Sequence, residues 1–178
     1  MSIGPTIETE RLILRPPTSE DLDPWAAFAA DPEATEFLGG PVSRAFAWRK
    51  LCTMAGSWVI NGFAPFSVVE KASGRWIGRI GPWQPEGWPG TEVAWGLARE
   101  AWGKGYAVEA ATASIDWAVE ALGWTEITHA IEAGNVRSEA VARKLGARVL
   151  REAVLPAPFD ISVPIWGQSR EEWLARPR

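Results

Sequence analysis

One stretch limits what this chain can become: Trp102-Gly103-Lys104-Gly105-Tyr106-Ala107. An alternating run, TEVAWGLA (91–98), leads into it, and a helical pattern from about Gly105 to Leu122 leads out. A strand, a glycine turn and a helix N-terminus in that order build an anion site. The first turn of a helix leaves up to four backbone N–H groups unpaired, and the macrodipole places partial positive charge there. Glycine lets that backbone approach a phosphate closely. The turn is therefore either a diphosphate cradle, held by the N–H groups of 103–107, or an ordinary strand-to-helix connection. Two familiar phosphate loops are excluded. The pattern G-x-x-x-x-G-K-[ST] fails because Gly105 follows Lys104 and Ala98 stands five before Gly103. The pattern G-x-G-x-x-G fails because Val108 stands where the third glycine belongs, and no βαβ unit is in place.

The rest of the chain alternates strands and helices. Residues around Leu12 and Leu14 alternate as an edge-type strand, and Thr18-Ser19-Glu20-Asp21 offers helix-start chemistry before Trp25–Ala29. A second helix is predicted from about Arg44 to Val59, ended by Asn61-Gly62. Segments 63–70 and 75–83 form a hairpin with Ser73-Gly74 in its turn. The helix 105–122 lines up Val108, Ala111, Ile115, Ala118, Val119 and Leu122 on one face, and Gly123 ends it. A strand over 126–132, a helix Val136–Leu145 capped by Asn135, and strands over 148–153 and 161–168 complete the series. Mixed strands with interspersed helices imply an α/β (α+β) sandwich around one mostly antiparallel sheet. At 178 residues, with no linker or repeat, one domain over 1–178 is expected.

WGKGYAVEA (102–110), then Asn135-Val136-Arg137-Ser138 and Lys144-Leu145-Gly146, resembles the GCN5-related N-acetyltransferases (GNAT). TERLILRP (9–16) and REEW (170–173) resemble the ribosomal-protein N-terminal acetyltransferase branch of that family. The resemblance covers nearly the whole chain. It implies acetyl-CoA as donor and a primary amine as acceptor, on a small molecule or a protein N-terminus. It also implies a sheet whose fourth and fifth strands splay apart, so that the pantetheine arm pairs as a pseudo-strand with Trp95, Gly96, Leu97 and Ala98. It places the Asn135 side chain on the pantetheine and Ser138 near the sulfur. Three positions depart from the family pattern. Ala142 stands where many relatives carry a tyrosine general acid, Trp102 where the loop has Arg or Gln, and Ala147 where a Phe is common. With the tyrosine gone, Ser138 or water must protonate the thiolate.

Acyl transfer from a thioester requires a neutral amine and a proton for the leaving sulfur. Glu92 is the base candidate; its alternative is a solvated strand-edge carboxylate. Alternation puts Glu92, Ala94 and Gly96 on one face and Val93, Trp95 and Leu97 on the other. Asn135 and Ser138, at i and i+3, can face one ligand, though Asn135 also suits a helix cap. His129, the sole histidine, reads as a packed or surface strand residue rather than a catalytic one, and Cys52, the sole cysteine, as a structural thiol. Arg143 and Lys144 are either solvated helix charges or partners of the cofactor's 3′-phosphate.

Twelve tryptophans stand against one tyrosine. Most would frame the core. Trp48, Trp58, Trp83, Trp88 and Trp95 are the ones considered for an acceptor pocket or a subunit interface. Trp83 and Trp88, in the Pro/Gly-rich connector PWQPEGWPG (82–90), are the candidates for enclosing the acceptor. A net charge of −4 without a basic tract argues against nucleic-acid binding. No apolar run reaches membrane-spanning length, no leader pattern opens the chain, and a lone cysteine permits no intrachain disulfide, so a cytoplasmic location is expected. No metal is expected. A homodimer is a family-based expectation, and the alternative to an enzyme is an acetyl-CoA-binding module without catalysis.

Overall fold

The computed structural model of the chain describes residues 3–177. Its first half runs β1 (Ile7–Glu8), β2 (Leu12–Arg15), α1 (Leu22–Ala30), α2 (Arg44–Asn61), β3 (Phe66–Glu70), β4 (Trp76–Trp83) and β5 (Glu92–Leu97). The second half runs α3 (Tyr106–Ala121), β6 (Glu126–Ala130), α4 (Val136–Lys144), β7 (Arg148–Val154), β8 (Ser162–Ser169) and α5 (Arg170–Leu174). The strands form one sheet in the order β1-β2-β3-β4-β5-β6-β8-β7, antiparallel at every junction except β5–β6. The elements expected from the sequence are present with ends shifted by a few residues. β1 and α5 are additional; α5 is built on a Ser169–Glu172 capping box.

Alternation along the strands divides the molecule into two layers. Phe66, Val68, Val93 and Leu97 pack with Ala110, Ala111, Ile115 and Ala118 of α3 in the main core. The residues between them face the other way. Ser67 bonds the Asp21 carboxylate at 2.7 Å, and a Cβ added to Gly96 would lie 3.1 Å from Phe28 of α1. There α1 and α2 build a second cluster around Trp25, Phe28, Leu51, Met54 and Trp76. The two layers carry most of the tryptophan. Trp58 is 2% exposed and packs on Phe66 and Trp117, with ring centroids 4.9 and 5.7 Å away. Trp58 is therefore framework, while Trp48 projects outward from α2.

Asp21 explains why the chain turns where it does after β2. It is buried, yet its carboxylate receives Arg15 at 2.6 Å, the Thr18 N–H at 2.9 Å and the Ser67 hydroxyl. These partners hold its pKa below the usual carboxylate range against the opposing effect of burial. Cys52 is exposed on α2. Among the described residues, no helix is long and apolar enough to cross a membrane, and no group of three or more His, Cys, Asp or Glu could hold a metal ion.

Candidate active site

The junction between β5 and β6 opens almost as soon as it forms. Glu92 and Thr128 are its one register pair, with the Thr128 N–H donating to the Thr91 carbonyl at 2.9 Å. Beyond that pair, side chains replace the ladder. The Ala130 N–H donates to Glu92 Oε1 at 3.1 Å, and His129 Nδ1 meets the Val93 carbonyl at 2.7 Å. Buried backbone groups need partners, and here one side chain from each strand supplies them. Strand parity then points the N–H and C=O of Trp95, and the N–H of Leu97, into the widening gap. The Leu97 carbonyl is already taken by the Trp102 indole at 2.8 Å.

The gap leads into a cavity of about 320 Å³. Trp95, Gly96 and Leu97 form its inner end; Gly103, Gly105, Tyr106 and Ala107 form one side; Asn135 and Ser138 form the other. Trp102 also lines it. Of the remaining sequence candidates, Ala98 packs into the α1 cluster, and Lys104 lies outside the lining, its carbonyl accepting from Arg11 at 2.9 Å. Gly103 and Gly105 take φ values of +73° and +81°, a left-handed backbone that glycine adopts at no steric cost. A Cβ at Gly103 would meet no heavy atom within 4 Å, and α3 starts at Gly105 without a side-chain cap. The first N–H groups of a sixteen-residue helix thus have no side-chain cap, and the Arg11 guanidinium flanks the turn, its Nη2 3.4 Å from where a Cβ on Gly105 would stand.

Two contacts missed in the sequence close the cavity's outer side. Arg137 stacks over the Trp102 ring at 4.1 Å and approaches Glu33 and Glu36 at 3.8 Å each. Arg99 ties the same 31–36 segment through Asp31 at 2.5 Å and Glu33 at 3.1 Å. Trp102, at a position where the loop motif has Arg or Gln, is therefore a platform for an arginine from α4. Stacking of two groups far apart in sequence leaves no short-range signal.

Glu92 is 6% exposed, and its pKa is raised to about 7. Burial is the cause; the Trp88 indole N–H, the Ala130 N–H and the charge of Arg79 oppose it in part. Trp88 donates directly to Glu92 Oε2, and its ring meets Phe159 edge-on at 6.1 Å. Trp83 packs half-buried against the α1 cluster. On the opposite face of β5, Trp95 donates to Ser138 Oγ at 3.2 Å and leans on His129 at 4.7 Å. Asn135 caps α4 by accepting from the Ser138 N–H at 3.2 Å. Ala142 is fully buried in a small cluster with Ile131, Ala147 and Trp166, and Trp95 packs against it. His129 is a buried, neutral residue: burial lowers its pKa to about 4.

This arrangement agrees with comparisons to known proteins. The family model described as the acetyltransferase (GNAT) domain matches residues 11–148. An uncharacterised N-acetyltransferase of Bacillus licheniformis, p20, is 32% identical over 136 residues, covering 75% of this chain and 76% of that protein. The crystal structure of an acetyltransferase from Agrobacterium tumefaciens is 30% identical, with a TM-score of 0.83 over 93% of this chain and 95% of that one. At 20% identity, a ribosomal-protein-S5-alanine acetyltransferase from Vibrio fischeri shares the fold, with a TM-score of 0.69 over 97% of this chain and 100% of that one. GNAT enzymes use acetyl-CoA and an amine acceptor. The chain belongs to the GNAT acetyltransferase family and is an N-acetyltransferase.

Proposed function

We propose that the chain transfers an acetyl group from acetyl-CoA to a primary amine by direct attack, with Glu92 as base and Ser138 beside the departing sulfur. One observation carries this reading: a buried carboxylate with a pKa raised to about 7 stands where β5 and β6 part. A base is most useful when its pKa lies near the working pH. An alkyl ammonium, with a pKa near ~10.4, has no lone pair until a proton leaves. Glu92 takes that proton, directly or through water.

The open turn and the gap suit acetyl-CoA. The N–H groups of 103–107, without a side-chain cap, hold the diphosphate, and the gap-facing backbone of Trp95 and Leu97 pairs with the pantetheine amides. When bound, this substrate supplies an acetyl group activated as a thioester. Ser138, held by the Trp95 indole, keeps a hydroxyl proton to offer the sulfur. Asn135 Oδ1 serves the helix cap, which leaves its amide nitrogen as the group that can reach the ligand. Trp83 and Trp88 border the acceptor, and Trp88 also sets the proton affinity of Glu92. No activated nucleophile stands in the cavity lining, so no covalent acetyl-enzyme is expected.

The test is thiol release from acetyl-CoA with a panel of primary amines, read beside intact-protein mass. Amine-dependent release with unmodified protein is the expected result. Thermal stabilisation by CoA without release on any amine would turn the reading into that of a binding module.

A further inference from the structure

The floor under α1 and α2 carries a cation without an ion pair. β4 and β5 pair Arg79 with Gly96 and Trp83 with Glu92, so by alternation these four positions share one face of the sheet. It is the face turned to α1, since a Cβ at Gly96 would lie 3.1 Å from Phe28 and 3.3 Å from Leu38. Arg79 is half-buried there, yet its guanidinium makes no hydrogen bond and no salt bridge with any described residue. The nearby Asp21 carboxylate is spent on Arg15, Thr18 and Ser67. Lys50 of α2, also half-buried, has a pKa lowered by burial and then by the charge of Arg79. It too makes no salt bridge among the described residues; its ammonium lies over the Phe46 ring at 5.7 Å. Glu92 is the carboxylate whose field reaches Arg79.

Two half-buried cations that feel each other's charge, neither in an ion pair, raise the free energy of the free protein. Other interior-facing arginines of this chain show the usual remedy. Arg15 reaches Asp21 at 2.6 Å, and Arg176 reaches Asp116 at 2.7 Å. Arg79 has no such ion pair: Glu92 acts on it only through its charge, and the guanidinium donors stay open to an anion from outside. A guanidinium offers a planar fork of donors that matches a carboxylate bidentately, with Lys50 adding a point charge beside it.

We propose that Arg79, assisted by Lys50, holds a carboxylate of the acceptor, so that the amine this enzyme acetylates belongs to a small amino acid. The inference rests on the acetyl-transfer reading above. It gives the acceptor crevice two ends: Glu92 receives the ammonium and Arg79 the carboxylate. Arg79 lies four strand positions from Trp83, the partner of Glu92, so the Arg79 and Glu92 Cα atoms are roughly 14 Å apart. Both side chains rise from the same face of the sheet, and the charge of each is felt by the other.

The test compares amino acids of increasing amine-to-carboxylate spacing (glycine, β-alanine, 4-aminobutyrate and larger α-amino acids) with their neutral amides. kcat/KM is measured for wild type, Arg79→Gln and Arg79→Lys. In wild type at least one acid should exceed its amide about tenfold or more, which is ~1.4 kcal/mol. That preference should fall to near unity in Arg79→Gln and be partly kept in Arg79→Lys, which retains the charge. A second readout needs no turnover: the acid lacking its amine, propanoate or butanoate, should raise the Tm of CoA-bound wild type but not of Arg79→Gln. Turnover of amides as fast as acids, or a preference that survives Arg79→Gln, would overturn the anion site and leave acetyl transfer standing. Stabilisation by the deaminated acid that depends on Arg79, without turnover on any amine, would keep the anion site and overturn the acetyl-transfer reading.

Discussion

At the scale of single residues, Trp88 governs how easily Glu92 gives up its proton. The indole N–H bonds the ionised carboxylate and opposes the upward push of burial. Trp88→Phe keeps the ring and removes the donor. It should move the acid limb of the pH–kcat/KM profile upward and lower the rate at neutral pH by about three- to tenfold. A limb that stays in place would detach Trp88 from the base. Ser138→Ala should lower kcat by about tenfold, without recovery at high pH, since it affects the leaving sulfur and not the amine. Wild-type kcat in that variant would leave water as the proton source. Glu92 is a candidate from its residue type and strand position, and Ser138 from its spacing to Asn135 and the family resemblance. Their partners were not legible in the sequence: Trp88 is four residues from Glu92, but Trp95 meets Ser138 across 43 positions. The sequence leaves His129 packed or on the surface of its strand. Its hydrogen bond to Val93 depends on where β5 and β6 separate, which no local pattern records.

At the scale of elements, the strand–turn–helix around residues 91–122 is the part the sequence described best. Its alternation, its glycines and its helical face are all local signals, and β5 and α3 fall within two residues of expectation. The register between β4 and β5 depends on long-range packing. It is what places Arg79 on the face of Glu92, so the cation without an ion pair stayed hidden in a strand that reads as ordinary. Gly105→Glu should weaken acetyl-CoA about tenfold or more, ~1.4 kcal/mol, by placing bulk and negative charge at the start of α3. Gly105→Ala adds the left-handed strain of φ +81° without the charge, so it separates the two effects. Calorimetric titration of CoA reads both. Equal affinity of a folded Gly105→Glu variant would remove this turn from the site.

At the scale of the whole molecule, two buried groups tilt stability with pH in opposite directions. The folded pKa of Glu92, about 7, lies above its ordinary value of 4.5, so the folded chain holds the proton more tightly. Its contribution is full at low pH and falls as pH rises through about 7. His129 has a folded pKa of about 4 against an ordinary 6.5. Its contribution is full above 6.5 and is lost as pH falls through about 4. The slopes offset each other in mildly acidic solution and give wild type a flat profile there. Glu92→Gln removes one slope. Its Tm relative to wild type should rise between about pH 5 and about pH 8, by the equivalent of on the order of 1–3 kcal/mol. A constant difference would mean that Glu92 titrates normally in the folded chain.

The central claim is that Glu92 is the base, and kcat/KM as a function of pH for wild type and Glu92→Gln tests it most directly. Wild type should lose rate below about pH 7 as Glu92 takes up a proton. Glu92→Gln should be slower by on the order of tenfold to a thousandfold near neutrality, lack that limb, and recover in part at higher pH, where more free amine exists. Acetyl-CoA affinity should be unchanged. Wild-type turnover by Glu92→Gln across about pH 6–9 would contradict the account.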